Sequence, residues 1–167
     1  MGNFQDQVNE DYDRLHRWPL DSSLKAGLLS PEDVEARLNG GENAIELSIQ
    51  KWEKLRRVIQ EIGEDVEPSR FYKALRDFTG MDSCALCLKA IQKLKEDGVS
   101  LKSREDKCRV CPLATVDQCT KSESVFSRID DLLYFGESDP FYSGDSASLQ
   151  RDLESLVLQM LENLRKL

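Results

Sequence analysis

All five cysteines of this 167-residue chain fall between positions 84 and 119. They read Cys84-Ala85-Leu86-Cys87, a spacer of twenty residues, Cys108-Arg109-Val110-Cys111-Pro112, six further residues, and Cys119. Neither flank contains another. A Cys-x-x-Cys hook on a tight turn presents two sulfurs to one ion. Two hooks complete a thiolate tetrahedron, with Zn–S bonds of about 2.3 Å. The segment between the hooks is polar and irregular toward its end, and a loop of that length in a compact domain calls for a staple. A metal supplies one. Cys84, Cys87, Cys108 and Cys111 are the expected ligands of one Zn²⁺, with Cys119 spare or an alternative ligand. The odd cysteine count and the polar, acid-bearing N-terminus (Asp6, Glu10, Asp11, Asp13) give no secretory leader and no disulfide framework, so thiolates in a reducing cytoplasm are expected. A myristoylation start would want Ser or Thr where Asp6 stands.

An iron–sulfur cluster is the alternative cofactor. Cys108-x₂-Cys111-x₇-Cys119 with one distant cysteine is similar to the cluster-bearing tail of some RecB-type nucleases. Those enzymes also need a mixed sheet with spaced acids and a Glu-x-Lys strand. Glu105-Asp106-Lys107 has the letters, but no strand pattern surrounds it. A thioredoxin-like dithiol lacks its βαβ surroundings.

No stretch alternates over strand length, so the sequence predicts a mostly α-helical domain with a Cys-rich zinc-knuckle loop and no substantial sheet. Phe4, Val8, Tyr12 and Leu15 mark a first amphipathic helix, stopped at Trp18-Pro19. His16, the only histidine, lies at its end and reads as a surface residue. Ser30-Pro31-Glu32-Asp33 combines a capping hydroxyl, a proline in the first turn and acids at the positive helix end. Gly40-Gly41 ends that helix and divides an N-terminal helical arm (1–41) from a helical body (42–167). In the body, Ile45, Ile49, Trp52, Leu55, Ile59 and Ile62 recur at three- and four-residue steps over 42–62. Lys54, Arg56 and Arg57 read as its solvated face. Ser69 opens a further helix, with Phe71, Leu75 and Phe78 inward.

The first hook opens a helix continued by Leu88, Ile91 and Leu94 and ended by Asp97-Gly98. Thiolates at a helix N-terminus are stabilised as anions. The metal-binding module spans 81–121, and Pro112 keeps its second knuckle open. Val125, Phe126, Ile129, Leu132 and Leu133 predict another helix, followed by a turn-rich break from Gly136 to Gly144. The helix over 146–167 carries Leu149, Leu153, Leu156, Met160, Leu164 and Leu167, widened by Val157 and Leu161. Core packing is its primary reading and a homodimer seam the alternative.

The net charge of −8 is unevenly distributed. Residues 1–68 hold 8 Lys/Arg against 15 Asp/Glu, residues 69–121 hold 11 against 7, and residues 122–167 hold 4 against 9. A basic cysteine module thus lies between acidic flanks. No apolar run approaches the roughly 20 residues of a membrane span, and phosphate-cradling glycine motifs are absent. A single histidine and no paired acids at a defined spacing leave no catalytic residue to assign, so no enzyme activity is expected. Two classes remain. One is a protein-interaction module held by zinc. The other is a nucleic-acid-binding zinc protein using Lys102, Arg104, Lys107 and Arg109, among the cations of 69–121.

Ser48-Ile49-Gln50-Lys51-Trp52-Glu53-Lys54-Leu55, the two hooks, the Pro112-Leu113 that follows the second, Cys119 and a C-terminal apolar helix together resemble small proteins encoded by tailed phages and prophages. The resemblance covers 42–167. It departs after Cys119, where a Gly-Thr-Pro-Tyr-like run is replaced by Thr120-Lys121-Ser122. It carries no assigned reaction. What it implies is a bacteriophage setting, hence the host cell cytoplasm, and no more; by analogy with phage accessory proteins of this size, a host or phage protein, modulated or inhibited by binding, is the expected partner.

Overall fold

The two cleanest apolar stripes of the sequence find each other. The computed structural model describes residues 28–61, 75–76, 78–138 and 146–167. Its helices are α1 (Pro31–Asn39), α2 (Ala44–Glu61), α3 (Ala85–Glu96), α4 (Val125–Ser138) and α5 (Ser146–Arg165). Three 3-10 turns lie at Met81–Ser83, Asp106–Arg109 and Pro112–Thr115. The fold is mostly helical, and no strand occurs among the described residues. No helix among them is long and apolar enough to cross a membrane. The expected helix before Trp18-Pro19, with His16, lies outside the described residues, as do Ile62, Ser69 and Phe71.

Helix α1 is built by local chemistry. Ser30 Oγ accepts the Asp33 amide at 3.1 Å, and Asp33 Oδ2 accepts the Ser30 amide at 3.1 Å. This reciprocal box satisfies two donors that a helix start would leave unpaired. Gly41, at φ +94°, closes the other end, and the Glu42 amide reaches back to Arg37 O at 3.2 Å. A side chain at that φ would be strained, which is why glycine stands there. Asn43 then caps α2, its Oδ1 accepting the Ile45 and Glu46 amides at 2.9 and 3.1 Å. The helix therefore starts at Ala44, within the expected 42–62.

Helix α5 packs along α2 and also covers α4. Leu149, Leu153, Leu156, Val157, Met160, Leu161 and Leu164 are all buried in this core, with Leu55 and Ile59 of α2 and Ile129 and Leu133 of α4. The α5 stripe is thus used within the chain. Polar groups close the rim: Gln60 Nε2 donates to Glu154 Oε1 at 2.6 Å, and Arg165 meets Glu53 at 3.0 Å. Helix α2 also packs against α3. Helix α1 packs onto α3 and the Met81–Ser83 turn, with Val34 and Leu38 buried beside Leu47 and Ala85.

Two details differ from the sequence reading. Ile45 and Ile49 are only half-buried, while Leu47 and Val58 are buried, because α2 is covered from two sides. Gly136 does not end α4, which continues to Ser138. One glycine costs a helix only about 0.5–1 kcal/mol relative to alanine, and the helix runs through it.

Leu161 is fully buried and Leu167 is 37% exposed. Leu161→Ala should cost about 2–5 kcal/mol through lost burial and a residual cavity, and Leu167→Ala should stay within about 0.5 kcal/mol. Urea midpoints of the two variants check this. Equal losses would contradict the placement of α5.

Candidate functional site

The 3-10 turn Met81–Ser83 delivers Cys84 to the N-cap of α3, in an extended conformation (φ −92°, ψ 109°). Cys87 follows in the first helical turn and is buried. The Cys87 side chain, helped by the Lys51 charge and the Cys87 and Leu86 amides, pulls the Cys84 thiol down to about 6. The Cys84 side chain, with burial, holds Cys87 well above the ordinary thiol range.

The second hook spans two short turns. Cys108 sits within Asp106–Arg109, and Cys111, extended at φ −80° and ψ 122°, caps Pro112–Thr115. Pro112 occupies the first position of that turn, where a missing amide does no harm. Cys108 Sγ lies 3.9 Å from Thr120 Oγ1. Cys119 is fixed by its backbone: its carbonyl accepts the buried Ser124 hydroxyl at 3.1 Å, and Ser124 Oγ in turn accepts the Ser127 amide at 3.1 Å. Asp117 Oδ2 accepts the Val125 amide at 2.9 Å and Asn163 Nδ2 at 3.4 Å, tying the loop to α4 and α5.

These segments bring all five cysteines into one neighbourhood. Cys111 is part of the main core, and Cys84 and Cys119 pack against it. The Cys111 thiol is pushed up by burial and by the negative charges of Cys84 and Cys108. Burial, with Cys84, Cys111, Asp117 and Cys108 nearby, pushes Cys119 up to about 12. All five are free thiols. Among the described residues, no group of three or more His, Cys, Asp or Glu side chains is arranged as the ligands of a metal ion.

The site also contains a residue that the apolar period of α2 does not reveal. Lys51 is 3% exposed. Its Nζ donates to Gly80 O at 3.2 Å and lies 5.2 Å from the Trp52 ring centroid. Burial lowers its pKa, and the charges of Cys84, Cys87, Cys119 and Asp82 oppose that shift. Ser48 is buried three residues before it, its hydroxyl bonded to Ala44 O at 2.8 Å. The available signal was a second stripe, Leu47, Ser48, Lys51, Leu55 and Val58, at helical steps beside the first.

The expected nucleic-acid contacts differ in exposure. Lys102, Arg104 and Arg109 are exposed, and Arg109 lies 3.9 Å from Asp106. Lys107 is half-buried, with Nζ 3.3 Å from Met81 Sδ, and its charge is felt at Cys87. Lys89 and Lys93 flank a separate cleft of about 450 Å³, lined by Ile45, Leu86, Val110 and Pro112. Comparison with family models, curated proteins and solved structures gives no match.

Asp106 organises the turn before the second hook. Its Oδ2 accepts the Lys102 and Ser103 amides at 2.7 and 2.9 Å, which holds its pKa below the ordinary value. Because the folded value is depressed, the stabilisation is present above the ordinary aspartate range and is lost as pH falls through the folded value. The amide shifts of Lys102 and Ser103 should titrate together, with a midpoint below about 3.9. NMR titration measures this. A higher midpoint, or shifts that persist unchanged in Asp106→Ala, would contradict the turn.

Proposed function

We propose that this chain is a noncatalytic, zinc-stabilised interaction module of the phage accessory type. Cys84, Cys87, Cys108 and Cys111 hold one Zn²⁺, and Cys119 is the alternative ligand. What supports the reading is the spacing of the two hooks, together with the charge that Cys84, Cys108 and Cys111 exert on neighbouring thiols. Soft thiolate donors on two hooks suit zinc, and a closed Cys₄ site is structural and leaves no position for substrate. Binding the ion would take the protons off its ligands.

The partner is a protein. A chain of net charge −8 gains no long-range attraction to a nucleic-acid backbone, whereas an acidic surface speeds encounter with a basic protein site. The resemblance supplies a phage setting, and the acidic charge suits a host protein engaged at a surface that otherwise holds nucleic acid. Exposure of Lys102, Arg104 and Arg109 supports nucleic-acid binding as the second reading. Under it, affinity would fall steeply with salt.

Native mass spectrometry of the purified protein should show one zinc per chain and a colourless sample. A brown chromophore with bound iron and sulfide would overturn zinc in favour of a cluster. Chelation should loosen residues 81–121 first and spare much of α2 and α5, because those helices share an apolar core of their own. Hydrogen exchange and circular dichroism separate the two regions. Zinc-finger peptides, which have no such core, take roughly 10–16 kcal/mol of folding energy from the metal. Pull-down from host lysate should recover a protein after nuclease treatment. Submicromolar binding to plain DNA or RNA near physiological salt, lost on reversing Lys102, Arg104 and Arg109, would favour the second reading.

A further inference from the structure

The cleft of about 450 Å³ beside α3 lies where three segments meet. They are the junction of α1 and α2 with the start of α2, the α3 turns from Leu86 to Lys93, and the second hook through Val110 and Pro112. The size falls within the range of small-molecule sites, which are mostly apolar hollows with a few convergent polar groups. The walls fit that description. Leu86 and Ala90 are buried, and Ala44, Ile45 and Val110 are half-buried. Each wall is also fixed by bonds of its own. The Glu42 amide donates to Arg37 O at 3.2 Å, the Ala114 amide to Cys111 O at 3.1 Å, and Gln92 Nε2 on α3 to Asn39 Oδ1 at the end of α1 at 3.2 Å. The hollow therefore exists before anything enters it.

The charged side chains on its lining are Glu42, Lys89 and Lys93. Glu42 is neutralised in place. Arg37 donates to its two carboxylate oxygens at 2.8 and 2.6 Å, and to Gln50 Oε1 at 2.9 Å. Lys89 and Lys93 are exposed, and neither takes part in an ion pair among the described residues. They stand four positions apart on one helix, where like charges are neighbours and repel. The start of α2 adds little, because Asn43 Oδ1 already accepts the Ile45 and Glu46 amides. What remains is a pair of unneutralised cations at the edge of an apolar hollow. The rest of the chain does not supply such a field, since its net charge is −8.

We infer that this cleft binds a small organic acid, with its anionic head between Lys89 and Lys93 and its apolar body against Ile45, Leu86 and Val110. The head relieves the repulsion between the two ammonium groups, and the body removes apolar wall from water. Leu86 directly precedes Cys87, and Val110 and Pro112 flank Cys111. A bound acid thus touches the neighbours of both hooks, from the side of the cleft. The inference does not depend on the zinc reading.

Octanoate is the probe, titrated into the full chain and followed by NMR. Saturable shifts should appear at Ile45, Leu86, Ala90 and Val110. Each methylene added between butyrate and octanoate should tighten binding by roughly two- to fourfold. Octylammonium, with the same body and the opposite head, should not saturate these signals. Octyl phosphate run beside octanoate tells which head the lysines prefer, and binding of either supports the class. Lys89→Gln and Lys93→Gln should each weaken octanoate by roughly two- to fivefold, the scale of an exposed charge pair. The double reversal Lys89→Glu with Lys93→Glu should abolish saturation. Both positions are exposed, so the variants should melt close to wild type. Absence of shifts at the cleft with both octanoate and octyl phosphate would overturn the inference. So would equal binding of octylammonium, or wild-type octanoate affinity in the double reversal. None of these results bears on metal content, which native mass spectrometry reads separately.

Discussion

Helix α2 is buried along two stripes at once. Leu55 and Ile59 meet α5 in the main core, and Leu47, Ser48 and Lys51 meet α3 and the turn before Cys84. A rigid helix lined on both sides fixes the rotation of each stripe relative to the other. The thiol cluster therefore takes its register from the same packing that closes the hydrophobic core. Trp52 belongs to both regions, with its ring in the core and its face toward the Lys51 ammonium.

The cysteine loop has further supports that do not depend on an ion. Asp106 gathers two amides, Asp117 holds the first amide of α4 and a side chain of α5, and Ser124 joins the Cys119 carbonyl to the start of α4. Each is a short-range bond to a backbone group that a loop would otherwise leave to water. Together they bring the cysteines near one another before any ligand bond is considered. Under the zinc proposal, ion binding would then have less chain entropy to overcome than in a peptide that is unfolded without its metal.

The parts legible in the sequence are the local ones. Ser30, Asp33, Gly41 and Gly98 act through neighbours three to five residues away, so their caps and turns could be read directly. The apolar periods of α2 and α5 marked those helices because burial selects residue type along one face. Period alone does not say how many faces a helix buries. Lys51 and Ser48 were hidden because period marks only the apolar members of a face: Ser48 stands one turn before Trp52 and Lys51 one turn before Leu55, inside the same buried arc. Cys119 was hard to place for a related reason. Spacing describes hooks, whereas the position of a single cysteine depends on how Asp117 and Ser124 fold the chain around it. Lys107 shows the converse, since a cation in a basic run reads as exposed until a neighbour such as Met81 draws it inward.

The pairing of α2 with α5 also has a consequence in time. The bonds that join them connect residues 94 and 112 positions apart, Gln60 with Glu154 and Glu53 with Arg165. A ribosome extending a chain by roughly 5–20 residues per second takes on the order of 5–20 s to cover such a distance. Throughout that interval the α2 stripe has emerged and its partner has not. The nascent chain thus carries Leu55 and Ile59 uncovered beside a segment rich in free thiols. Trigger-type holding factors, or early closure of the cysteine loop on the other side of α2, would shorten the exposure.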